Sequence, residues 1–151
     1  MKLKYPLNQE VIDARILEIT NVLARLKKMK EISKEEFLKN SDYFAIASYN
    51  LRIALQAFLS CGSHILTRVP GAKIKEYKDT ARQLGKFGIA TPELTKKLVE
   101  MAGYRNRMIH FYDEIIPEEM YNILQKNIGD LEEFIKQISL FIEKQTSQNS
   151  S

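Results

Sequence analysis

Apolar residues recur along this chain every three or four positions, and strand-like alternation is absent. Ile12, Ile16, Ile19, Leu23 and Leu26 form one buried helical face, so the spacing predicts a helix from about Asn8 to about Glu31. "SKEE" at 33–36 reads as a capping box, with Ser33 capping and Glu36 reaching back. It opens a short helix through Lys39. Ser41 or Asp42 is the expected cap of the next helix, which runs to about Arg68. That segment, "YFAIASYNLRIALQAFLSCGSHIL", is apolar on most of its circumference, the signature of a central helix.

"VPGAK" at 69–73 is a turn by its Pro-Gly pair, and a shorter helix over 74–86 should stop at Gly85 or Gly88. "TPEL" at 91–94 starts the next one: Thr91 caps and Pro92 takes the first helical position. A last helix begins near Pro117. Its stripe runs through Tyr121, Leu124, Ile128, Leu131, Ile135, Ile138 and Ile142, and Gly129 interrupts the propensity but not the pattern. "QTSQNSS" closes the chain as a polar tail. The expected architecture is all-α, an antiparallel bundle of about five helices. It forms one domain over residues 1–145, and residues 146–151 are expected to be disordered.

Composition narrows the class. The 151 residues are 44% apolar and 28% charged, the balance of one globular domain. No apolar run approaches the ~20 residues that span a bilayer, so no membrane role is expected. "MKLKYPLNQEV" lacks the apolar core of a signal peptide, and a cytoplasmic location is the expectation. The single Cys61 excludes an internal disulfide. One cysteine and two histidines are too few for the usual structural zinc site, and no metal or cofactor is assigned. The net charge of +4 allows a polyanionic partner without establishing one.

The chemistry concentrates in "MAGYRNRMIHFYDE", residues 101–114. On a wheel that starts at Leu94, the residues Leu98, Met101, Met108, Ile109 and Tyr112 fall within about 60° of one line. Arg105 falls at about 20°, inside that apolar stripe, and Arg107 points away from it. Asn106 and His110 sit together on the adjacent polar flank. A charge in an apolar stripe must be paired, or must face a cavity or an interface. A buried Arg–carboxylate pair would account for Arg105 alone. The set Arg105, Asn106, His110 and Tyr112 is more demanding: a fixed cation, an amide, an imidazole and a phenol within eight residues.

Those groups suit attack on RNA. Metal-free cleavage requires the 2′-hydroxyl to lose its proton and attack the adjacent phosphorus. Histidine moves protons near neutral pH, and arginine stabilises charge on phosphoryl oxygens through its fork of donors. One motif histidine per chain falls short of paired acid and base roles, and a symmetric dimer would bring two together.

Other residues have plainer explanations. His64 sits near Cys61, Ile65 and Leu66 as a hydrogen-bonded core or interface histidine, and Cys61 as a small hydrophobe. "ARLKKMK" at 24–30 is a solvated basic face, and "DEIIPEE" at 113–119 supplies helix-start electrostatics rather than a metal site. Lys73, Lys75 and Arg107 are candidate contacts to an RNA backbone. "GKFG" at 85–88 lacks the preceding strand and spacing of a phosphate loop.

"RNRMIH" matches the Arg-x4-His signature of the HEPN superfamily, and "RNRMIHFY" extends it to the Arg-x4-His-x-Tyr form of HepT-type toxins. "DYFAIASYNLRIALQAFLSCGSHIL" resembles the long central helix of that family, "GIATPELTKKLVEMAG" its lead-in and "GDLEEFIKQI" its closing helix. The resemblance spans about residues 8–142. It implies a metal-independent endoribonuclease, the toxin of a type VII-like HEPN–MNT toxin–antitoxin module, acting as a homodimer on an RNA substrate. Arg105 and His110 would be catalytic and Asn106 supporting. Tyr112 would be the residue that the partner MNT-type nucleotidyltransferase antitoxin modifies with AMP. The segment before His64 reads "SCGSH", with Ser60 and Ser63 where the family often carries an acid. The alternative is a non-catalytic HEPN subunit that binds nucleotide or substrate for a partner nucleotidyltransferase.

Overall fold

The computed structural model describes residues 1–110 and 114–149. Seven helices and no strand occur among them: α1 (Gln9–Lys30), α2 (Lys34–Lys39), α3 (Ser41–Leu66), α4 (Tyr77–Lys86), α5 (Pro92–Ile109), α6 (Pro117–Lys126) and α7 (Ile128–Asn149). The all-α class matches the hydrophobic pattern. The short helix expected from the capping box at 33–36 is present as α2, and the helix number exceeds the expected five or so because the last helix divides in two.

Helix α3 touches every other helix, and α1 makes the most extensive pairing with it. Its Leu51, Ala54, Leu55 and Phe58 are inaccessible to solvent, and the Phe58 ring meets Phe134 of α7 edge-on, with centroids 5.2 Å apart. One face of α3 nevertheless stays open, through Ile46, Tyr49, Arg52, Gln56 and Ser60. Apolar composition nearly all round therefore does not bury this helix all round.

Local signals explain most of the boundaries. Asn8 caps α1 and Ser33 caps α2, each side chain accepting from the backbone three residues on. The cap of α3 is Asn40 rather than Ser41 or Asp42: its side chain accepts the Asp42 N–H at 3.0 Å while its own N–H closes α2. Helix α4 begins later than expected, at Tyr77, because the Glu76 and Asp79 side chains form a reciprocal capping box there. It ends in a Schellman turn. Gly88 adopts φ +71°, and the Ile89 N–H reaches the Leu84 carbonyl at 2.9 Å. Thr91 caps α5, and Gln137 of α7 bonds both its N–H and its hydroxyl.

Between α6 and α7 the chain breaks at Asn127, two residues before Gly129. The Asn127 side chain bonds Asp130 at 3.1 Å and the Asp130 N–H bonds the Asn127 carbonyl, so local polar groups compete with the helical ladder. The apolar stripe passes the break, with Leu124, Ile128 and Leu131 all buried. At the far end α7 reaches Asn149, well into the segment expected to be a disordered tail, and Gln145 is buried.

Helices α4 and α5 approach closely at Gly85. A Cβ placed there would lie 2.4 Å from Thr95 Oγ1, 2.6 Å from Cγ2 and 2.9 Å from Cβ. Because Thr95 Cβ is fixed to the α5 backbone, Gly85→Ala is expected to force the helices apart and cost about 1–3 kcal/mol. A lowered urea midpoint, partly restored by adding Thr95→Ala, would show it. An unchanged midpoint would refute this packing.

Candidate functional site

Helix α5 buries Leu94, Leu98, Met101 and Ala102 against the core. Arg105 continues that line as the helix leaves the core, and it is half-buried. Its Nε is buried and has no hydrogen-bond partner among the described residues. The guanidinium instead stacks on the Tyr77 ring at the start of α4, 3.7 Å from the ring centroid. No carboxylate among the described residues pairs with Arg105. The explanation by a buried Arg–carboxylate pair therefore finds no support. The charge is held by a π face and keeps its hydrogen-bonding capacity.

The helix stops at Ile109. His110 is its C-cap, with extended backbone (φ −92°, ψ 118°) and an exposed side chain, and its N–H reaches the Asn106 carbonyl at 3.3 Å. The helical register assumed for His110 thus fails one residue early. His110 still lines one open groove of about 440 Å³ together with Asn106. Arg105 is not among the described residues that line that groove. Tyr112 lies outside the described residues.

Two polar pairs brace the groove. The Tyr104 hydroxyl donates to Glu100, and burial followed by this bond pushes the phenol well above its ordinary pKa. Arg107, which points off the stripe as expected, forks onto the Glu119 carboxylate of α6 at 2.5 and 2.7 Å. Its guanidinium is an α5–α6 tie, which speaks against its use as an RNA contact.

The remaining candidates sit elsewhere. Lys73 and Lys75 are exposed on the turn before α4, where Gln83 and Asp79 hold their backbone N–H groups. Lys75 lines a second groove, with His64 and Tyr77, rather than the one beside His110. His64 accepts the Asn8 N–H on Nε2 at 3.1 Å. Burial, then the charge of Arg68, lowers its pKa, which suits the neutral acceptor seen here. Cys61 is buried, and burial pushes its thiol up to about 12. Two residues in direct contact with this region carried no sequence signal: Tyr77 under Arg105, and Lys78 in the His110 groove. Only the packing of α4 on α5 brings them there.

Among the described residues no helix is long and apolar enough to cross a membrane. A tRNA nuclease HepT from Aphanizomenon flos-aquae (strain 2012/KM1/D3) is 29% identical over 132 residues, covering 87% of this chain and 90% of that protein. The solved structure of a tri-AMPylated Shewanella oneidensis HEPN toxin in complex with MNT antitoxin has the same fold. Its TM-score is 0.78 at 22% identity, over 86% of this chain and 97% of that one. YutE, a cytosolic protein of unknown function from Bacillus subtilis, also shares it, with TM-score 0.77 at 16% identity over 93% and 94% of the two chains. The ribonuclease HepT-like family matches residues 19–138, from within α1 to within α7 and across the whole Arg105–His110 segment. The chain belongs to the ribonuclease HepT-like family.

Proposed function

We propose that this chain is a metal-independent endoribonuclease, the toxin of a toxin–antitoxin pair, and that its working site is shared between two copies. The observation that carries the reading is the state of the motif: among the described residues Arg105 has no anionic partner, and His110 is exposed on a groove. Both groups are free to meet a phosphodiester. An imidazole takes the 2′-hydroxyl proton, the 2′-oxygen bonds to phosphorus, and the phosphorus–5′-oxygen bond breaks as a second imidazole protonates the leaving oxygen. Arginine holds the charge that builds on the phosphoryl oxygens. The products are a 2′,3′-cyclic phosphate and a 5′-hydroxyl.

The open face of α3 supports a homodimer. Tyr49 is 66% exposed and Ile46 49% exposed. Tyr49 and Arg52 border a shallow groove of about 390 Å³ whose other walls include Phe44, Met108 and Ile115, so apolar surface adjoins the last turn of α5. A second copy seated there would bring two motif turns together.

The nucleotidyltransferase partner and AMP transfer to Tyr112 are part of the proposal, supported by the Shewanella oneidensis complex and by the Arg-x4-His-x-Tyr motif. The similarity to a tRNA nuclease makes tRNA the first substrate to test. Purified, unmodified protein is expected to cleave tRNA in excess EDTA, leaving 5′-hydroxyl ends. Absence of cleavage by a dimeric, folded sample would favour the non-catalytic alternative, and loss of cleavage in EDTA alone would refute the metal-independent mechanism.

A further inference from the structure

We propose that Lys78 binds substrate phosphate in the groove beside His110. The inference rests on the ribonuclease reading and adds a residue that lies outside the motif. Lys78 is the second residue of α4, and it lines the same groove as Asn106 and His110. Its position is set by Gly103 of α5: the space a Cβ would occupy there lies 3.6 Å from Lys78 Cε and 4.0 Å from Nζ. The lysine stem therefore lies across α5 one turn before Asn106 and two turns before His110.

The groove's other charges are already engaged. Glu100 takes the Tyr104 hydroxyl, and Arg107 is tied to Glu119. Lys78 has no hydrogen bond or ion pair to another described side chain. Among its described residues, the groove leaves available the Lys78 ammonium, the Asn106 amide and the His110 imidazole. That set recognises a phosphodiester: a point charge for one phosphate, with donors and a proton carrier beside it. A cation in the first turn of a helix opposes the helix dipole, whereas Asp79, its neighbour, complements it. A bound phosphate removes that conflict.

The test uses the His110→Ala protein, so that labelled tRNA stays intact, and reads anisotropy over a range of salt concentrations. Lys78→Gln is expected to weaken binding several-fold and to flatten the slope of log affinity against log salt by about 0.7–0.9, the loss of one phosphate contact. Lys78→Arg is expected to restore both. Lys136→Gln, which removes an exposed charge on α7, is expected to change the slope far less. Thermal melting of each variant monitors folding. Unchanged affinity and slope in Lys78→Gln, equal losses in Lys78→Gln and Lys136→Gln, or no rescue by arginine would each overturn the assignment while the ribonuclease reading stands. No tRNA binding by the His110→Ala parent, with the unsubstituted protein also inactive, would remove that reading and the assignment with it.

Discussion

His110→Ala is expected to lose RNA cleavage by at least about 10²–10⁴-fold, the usual contribution of a proton-transfer group, with no change in melting temperature. The two halves of that expectation have separate grounds. The His110 side chain is exposed, and the hydrogen bond at this position, to the Asn106 carbonyl, comes from the backbone, which alanine keeps. Little packing is lost, so loss of cleavage would report chemistry rather than folding. Arg105→Ala is expected to be as damaging to cleavage and slightly destabilising, because the stack on Tyr77 goes with it. Arg107→Ala is the contrasting case. It breaks the fork onto Glu119 and should lower stability by about 1 kcal/mol, or roughly 2–4 °C in a chain of this size, while cleavage falls far less.

A shared site adds a quantitative signature. If each site needs a histidine from both copies, mixing wild type with His110→Ala and allowing subunits to exchange should reduce activity as the square of the wild-type fraction. Activity in simple proportion to that fraction would show that one copy suffices. Dispensable Arg105 together with essential Arg107 would overturn the assignment of the motif.

The sequence pattern carried the bundle well where a single element decides its own fate. Thr91 and Pro92 begin α5, and Asn8 and Ser33 cap α1 and α2, because capping is a contest among neighbours in sequence. It did less well where two local solutions compete. Asn40 can end one helix and begin the next, and that outweighs the caps offered by Ser41 and Asp42. Asn127 breaks the last helix without disturbing its apolar stripe, so periodicity carries no trace of the break. The motif itself was legible as residue types at a spacing. Its geometry was not: Arg105 depends on Tyr77 and the His110 groove on Lys78, and both come from α4. Their placement depends on the α4–α5 approach at Gly85 and Thr95, a contact between residues ten apart that no pattern on either helix announces.

Tyr112→Phe is expected to yield a folded, active nuclease that the partner nucleotidyltransferase can no longer silence with ATP. The proposed transfer joins the Tyr112 phenolic oxygen to the α-phosphorus of ATP and releases pyrophosphate. Phenylalanine keeps the ring and removes only the accepting oxygen, so packing is preserved while the reaction is not. Two residues of chain span at most about 7 Å, so an adenylate on Tyr112 stays close to His110. There it would put a phosphodiester charge and a nucleoside beside the groove proposed to take RNA phosphate, and like charge plus bulk should exclude the substrate. Intact-mass measurement after incubation with the nucleotidyltransferase and ATP should show added AMP on wild type and none on Tyr112→Phe. Cleavage by wild type should fall in step with that mass shift. Equal AMP incorporation in the two proteins would move the modification to another residue, and full activity of a homogeneously modified wild type would show that AMP at this position does not block the site.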